Sequence, residues 1–185
     1  MTDNQLKEIL EAHRHYWEED CDRWWTMRAN LNGCDLSGTN LTHSYLPDAK
    51  LRGVNLEGAD LSEAQLFITD LKEANLKSAN LNKANLTEAD LEGADLQCVN
   101  LEGSDLSDAD LESANLEHAY LKNASLNGAD LRDANLKEAD LRDADLTGTN
   151  LIGTCLENAM LTGAIFENVI IDPETAAQIA ALRKS

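Results

Sequence analysis

An all-β solenoid is the fold that this 185-residue sequence predicts. Three observations predict it. A leucine stands at every fifth position over most of the chain, a small or β-branched residue stands two places before each leucine, and glycine is confined to the second place after it.

The leucines run without a break from Leu31 to Leu161, which is 27 consecutive repeats, and Phe166 and Ile171 extend the register to 29. Call this position i. Ala, Leu, Glu and Lys favour helix residue by residue, but the spacing overrules them. At about 100° per residue, leucines five apart advance by roughly 140° net, spiral around a helix and leave no apolar stripe. In an extended segment, i−2 and i share one face. Positions i−2, i−1 and i therefore read as a very short strand with i−2 and i inward, and i+1 and i+2 turn the chain. All ten glycines fall at i+2, where a type II turn needs positive φ. Glu, Asp and Lys at other i+2 positions suggest a second turn type there.

Composition narrows the function. The length fits one domain, and no apolar run approaches the ~20 residues that cross a bilayer. The segment Met1 to Gln5 lacks the basic and apolar regions of a signal peptide, so the expected location is the cytoplasm. Cys21, Cys34, Cys98 and Cys155 are widely spaced and signal neither a disulfide framework nor a zinc site. A net charge of −19 argues against direct binding of nucleic acid and permits a basic partner. No cofactor motif, phosphate loop or Ser-His-Asp pattern occurs. His13 and His15 are two apart on an expected helix and share no face for a metal, while His43 and His118 stand alone at turns. No catalytic residue is assigned, because carboxylates on a convex rod lack the cleft that acid–base work requires.

The repeat, written AlaAsnLeuLysSer at Ala74 to Ser78, resembles that of the pentapeptide repeat family, A(D/N)LXX, from Ala29 to Ile171. The resemblance implies a right-handed quadrilateral β-helix with four repeats per coil and about seven coils. At ~4.8 Å between strands, such a rod is roughly 35 Å long. Residues 29–171 form this helix, between a helical capping segment at 1–28 and a short capping helix at 172–185.

A solenoid needs its ends covered. Thr2 and Gln5 have capping-box spacing, and Leu6, Ile9, Leu10, His13 and Trp17 recur at helical intervals, before Trp24 and Trp25 lead into the first repeat. The acidic polar face of this helix does not suit a membrane surface. Asp172-Pro173-Glu174 starts the C-terminal helix, and Arg183 and Lys184 suit its C-terminal dipole.

Three groups of outward residues stand apart. Asp90, Glu92, Asp95, Asp105, Asp108, Asp110 and Glu112 belong to an interval, between Lys83 and Lys122, that has ten acids and no Lys or Arg. With twenty residues per coil, Asp90 stacks on Asp110 and Glu92 on Glu112, which makes this either a solvated, mildly strained surface or the site of a basic protein partner or a cation. Phe67 and Ile68 sit at turn positions that should be wet, with Tyr45 and Pro47 about one coil earlier, and either Trp24 or Trp25 covers them or a partner does. Cys155, Met160, Ile165 and Ile170 replace Asn or Asp around the last coil, and either the C-terminal helix and its loop cover part of this ring or, with Ile179 and Leu182, it forms a homodimer interface at the C-terminal end. Related proteins that this one resembles dimerise there.

The leading function is a non-catalytic interaction or scaffold module with an unnamed protein partner. The resemblance also offers a DNA mimic that binds DNA gyrase or another topoisomerase, as in quinolone resistance. Members of that group resemble each other in Phe at many i positions and in loops that interrupt the coils, neither of which this chain has between Leu31 and Leu161. Leu111→Asp, mid-rod, should abolish folding, as burial of an unpaired charge predicts. A soluble variant that melts cooperatively would contradict the inward assignment.

Overall fold

Each residue of the repeat region has its structural neighbour twenty residues away. The computed structural model describes residues 2–18 and 28–183. Parallel bridges join Asn30 to Lys50, Asp35 to Asn55, Asn40 to Asp60 and Tyr45 to Gln65, and the series continues without interruption to Asn150 and Ile170. Four five-residue repeats thus complete one circuit, and the chain winds as a four-sided β-solenoid.

One repeat explains the composition of all of them. Leu91 N–H donates to the Asp110 carbonyl at 2.7 Å, Gly93 N–H to Glu112 at 2.9 Å and Asp90 N–H to Thr69 at 2.9 Å, so three amides per repeat tie adjacent coils together. Ala94 N–H closes the corner on the Leu91 carbonyl at 3.0 Å. The fifth amide, Glu92 N–H, has no carbonyl and donates instead to Asp90 Oδ1 at 3.3 Å. The same bond recurs from i+1 to the Asn or Asp at i−1, as in Thr42 to Asn40 at 3.0 Å and Asn82 to Asn80 at 3.2 Å. The i−1 preference for Asn and Asp is therefore structural: a short side-chain acceptor satisfies an amide at each corner, as in an Asx-turn. Where Asn stands at i−1 its amide also reaches the coil before, as in Asn100 Nδ2 to Asn80 Oδ1 at 3.1 Å and Asn80 Nδ2 to Asp60 Oδ1 at 2.9 Å.

Every i+2 residue, glycine or not, has positive φ, where the sequence suggests a second turn type at the non-glycine corners. The ten glycines have φ of 62° to 78°, and the eighteen other i+2 residues have φ of 54° to 60°. Half of those eighteen are Asn, Asp or His, which tolerate the left-handed region best. Ile68, β-branched at φ 59°, is the most strained of them.

The interior is leucine and alanine. Leu46 to Leu156 are essentially inaccessible, and the small i−2 residues lie beside them. Each buried leucine contributes ~1.5–3 kcal/mol, and only stacked coils make that burial complete. At i−2 the Thr69, Thr149 and Thr154 hydroxyls donate to the Leu46, Leu126 and Leu131 carbonyls at 3.0, 2.8 and 2.8 Å, while the buried Ser44 Oγ has no partner among the described residues.

Two helices pack at the ends. Helix α1, Asp3–Glu18, opens with a reciprocal capping box: Thr2 N–H donates to Gln5 Oε1 at 2.9 Å, and Gln5 N–H to Thr2 Oγ1 at 3.3 Å. Leu6 and His13 are buried, and Ile9 and Leu10 pack against the core. His13 Nδ1 accepts the Ala29 N–H at 3.0 Å, so the docked imidazole is neutral. The Trp17 side chain, Cys21, Trp24, Trp25 and Lys184 lie outside the described residues. Helix α2, Pro173–Leu182, is capped by Asp172, whose carboxylate also accepts Gly153 N–H at 2.6 Å and is held down to about 2 by its backbone donors. Gln178 Oε1 accepts Leu156 N–H at 2.8 Å and its Nε2 donates to the Thr154 carbonyl at 3.2 Å. Asp172 and Gln178 thus stand in for the strand that a further coil would have supplied. Arg183 is the C-cap, and its guanidinium lies 4.7 Å from the Phe166 ring centre.

Burial pushes the His13 pKa below its ordinary value, with the Arg28 charge adding to that and the Pro47 backbone and Asp48 opposing it. Arg28 and Asp48 are themselves paired at 2.6 Å. An undocked His13 takes up a proton as pH falls through about 6.5, while the docked one refuses it. Cap stability should be constant above pH 7 and fall below 6.5 by up to about 1.4 kcal/mol per pH unit. Hydrogen exchange of the α1 amides between pH 7.5 and 5.5 measures it. The His13→Leu variant should lose this slope, and an unchanged slope would assign it elsewhere.

Candidate interaction surface

Counting by twenties assigns every outward residue to one of four sides. The first side carries Asp70, Asp90, Asp110 and Asp130 in one column, with Arg52, Lys72, Glu92, Glu112 and Arg132 beside it. The stacking expected for Asp90 on Asp110 is present, but as a neutralised array. Lys72 Nζ lies 3.1 Å from Asp90 and 2.5 Å from Glu92, while Arg132 lies 2.5 Å from Glu112 and 2.8 Å from Asp130. Bonds to Glu92 and Asp90 raise the Lys72 pKa, and the bond to Lys72 lowers that of Glu92. Carboxylate oxygens of Asp90, Glu92 and Asp110 converge within 4.8 Å of one another. The ammonium of Lys72 already serves two of these three as counter-ion.

The sequence interval without Lys or Arg is therefore not a surface without them. The coils before and after supply the cations. On the second side, Asp95 pairs with Lys77 at 2.9 Å and Glu157 with Lys137 at 3.7 Å. On the third, Asp140 pairs with Arg142 at 2.5 Å.

The fourth side differs. It comprises 44–48, 64–68, 84–88, 104–108, 124–128, 144–148 and 164–168, and none of these residues is Lys or Arg. Glu88, Asp105, Asp108, Asp145 and Glu167 on it enter no ion pair among the described residues. Phe67 and Ile68 occupy this same side, so Ile68, Glu88 and Asp108 form one corner column. Phe67 is half-buried, its ring edge-to-face with Tyr45 at 6.2 Å between centres, and Ile68 is 47% exposed. Of the acids singled out from sequence, Asp105 and Asp108 are here, Asp95 is on the second side, and Asp90, Glu92, Asp110 and Glu112 are on the first.

At the C-terminal end, Cys155, Met160, Ile165 and Ile170 bridge back to Asn135, Asp140, Asp145 and Asn150, one on each side. Met160, Ile165 and Ile170 are exposed. Ile179 does not join them, contrary to expectation: it is buried in the core cluster, and Leu182 packs against that cluster. Helix α2 directs its apolar face down onto the open end of the core, because Phe166 and Leu161 there lack a further coil to cover them. The N–H groups of Leu161, Gly163, Phe166 and Asn168 find no acceptor among the described residues, which leaves part of the last strand edge open.

A cleft of about 410 Å³ between α1 and residues 40–45 was not legible from sequence. Among the described residues, no helix is long and apolar enough to cross a membrane.

The family model described as pentapeptide repeats matches this chain over residues 27–66, 69–108, 104–143 and 129–168. A trypsin-treated form of QnrB1, a plasmid-mediated fluoroquinolone resistance protein, superposes with a TM-score of 0.70 at 20% identity, covering 85% of this chain and 84% of that one. HetL, a pentapeptide repeat protein involved in heterocyst differentiation regulation from the cyanobacterium Nostoc sp. strain PCC 7120, is 31% identical over 77% of this chain and 85% of its own, with a TM-score of 0.32. A pentapeptide repeat protein from the cyanobacterium Cyanothece 51142 is 30% identical over 77% of this chain and 91% of its own, with a TM-score of 0.31. Among curated protein sequences, none matches significantly.

Proposed function

The chain belongs to the pentapeptide repeat family, and on that footing we propose that it is a non-catalytic interaction module whose partner is a protein with a basic contact surface. The observation that carries this reading is the fourth side. Three sides cancel much of their charge locally through pairs such as Lys72 with Glu92 and Arg132 with Glu112. The fourth leaves Glu88, Asp105, Asp108 and Asp145 without a cation of their own. Lysines or arginines of a partner complete these carboxylates, steer the encounter and fix its register. Ile68, exposed at the N-terminal end of the same corner column, adds an apolar contact.

A second association is proposed at the C-terminal end, where a second copy of this chain covers the exposed Met160, Ile165 and Ile170 and the open strand edge. An edge with donor groups left without acceptors is a template for pairing. A monomer mass by light scattering at micromolar concentration would remove this reading.

The DNA-mimic alternative draws support from the net charge of −19 and from the fold shared with a fluoroquinolone resistance protein. Against it stand leucine rather than phenylalanine in the register and a bridge ladder that no loop interrupts from Asn30 to Ile170. A supercoiling assay with gyrase, with and without a quinolone, separates the two.

The decisive experiment is capture of partners from the native lysate by three forms of the chain. A Glu88→Lys, Asp105→Lys, Asp108→Lys variant should lose one specific band that both the intact chain and a Glu57→Lys, Glu117→Lys control on the second side retain. Retention by the first variant, or equal loss by both, would overturn the assignment to the fourth side.

A further inference from the structure

We propose that the cleft between α1 and the first coil binds a small organic anion with an apolar body, a role separate from the protein-binding reading above. The cleft's volume of about 410 Å³ falls in the ~300–1,000 Å³ range of small-molecule sites. What marks it is its charge. In a chain with 34 acids against 15 basic residues, most described cations of the coils are already paired with carboxylates. Lys7 and Arg14, both exposed on α1, enter no ion pair among the described residues, and both line this cleft. Seven residues apart on one helix, they stand about 10 Å from each other along its axis.

Between them lies Leu10, which packs against the core and lines the cleft together with Leu41. The lining is thus apolar at these two leucines, polar at Asn40, Thr42 and Tyr45, and cationic at Lys7 and Arg14. The cations hold a ligand's carboxylate, sulfonate or phosphate by charge-assisted bonds. His43, also in the lining, is engaged by Glu63 at 3.4 Å. Glu11 lies on the helix between the cations and repels a second negative charge at mid-cleft, so the charge sits at one end and the apolar body spans Leu10.

The test compares two fluorescent probes that share an apolar body. One, 8-anilinonaphthalene-1-sulfonate, is anionic, and the other, N-phenyl-1-naphthylamine, is neutral. The intact chain should bind the sulfonate at one site and at least about tenfold more tightly than the neutral probe, a difference of about 1.4 kcal/mol. Lys7→Gln with Arg14→Gln should remove that preference and leave the neutral probe's affinity unchanged. Equal affinity for the two probes, absence of saturable one-site binding, or a sulfonate affinity that survives the double substitution would each overturn the proposal. Far-ultraviolet circular dichroism confirms that each variant keeps α1. Should the double variant lose it, sulfonate binding by the intact chain at 20 mM and 500 mM salt decides instead: roughly tenfold weakening at high salt supports a charged contact, and no weakening contradicts it.

Discussion

The amide inventory of a five-residue unit governs this molecule. An extended chain that turns every five residues has to place five N–H groups per repeat. Three reach the neighbouring coil, one closes the corner, and one is left with no carbonyl in reach, as at Asp90 to Ala94. Burial of any of these groups without an acceptor costs about as much as one buried leucine returns. The consensus follows: leucine and a small residue fill the interior, Asn or Asp at i−1 takes the fifth amide, and the corner residue at i+2 accepts positive φ. The twenty-residue interval sets who meets whom, so the surface chemistry is written in columns rather than along the chain.

Much of this was legible in the sequence. Leucines from Leu31 to Leu161 cannot make a helical stripe, and ten glycines at one position require a corner there. The capping box of Thr2 and Gln5 and the N-cap at Asp172 were readable because capping chemistry is local. The corner conformation at non-glycine positions was not, since it depends on the stack holding residues such as Ile68 at φ 59° against their own preference. The role of i−1 was half legible. Asn and Asp stood out as a habit, but their acceptor duty appears only when the backbone donors are counted.

The electrostatics were misread for a definable reason. Between Lys83 and Lys122 the chain has no cation, yet Lys72 and Arg132 lie one coil away from Glu92 and Glu112, at 2.5 Å in both cases. Distance along the chain is a poor guide in a solenoid, and the remainder after division by twenty is a good one. Sorted that way, the sequence itself distinguishes the side that carries no Lys or Arg beyond Arg28, which Asp48 pairs, and places Phe67 and Ile68 on it. Ile179 was misassigned for a related reason: it faces the uncovered last coil of the core, a place visible only once the coil is closed.

The central claim is that each interior repeat with Asn or Asp at i−1 spends three amides on the adjacent coils and one on that side chain. Scalar couplings transmitted through hydrogen bonds, measured by NMR on deuterated protein, test it most directly. Leu91 N should couple to the Asp110 carbonyl carbon and Gly93 N to that of Glu112, while Glu92 N couples to no backbone carbonyl. Couplings between residues four apart within 29–171, or a carbonyl partner for Glu92, would contradict the account.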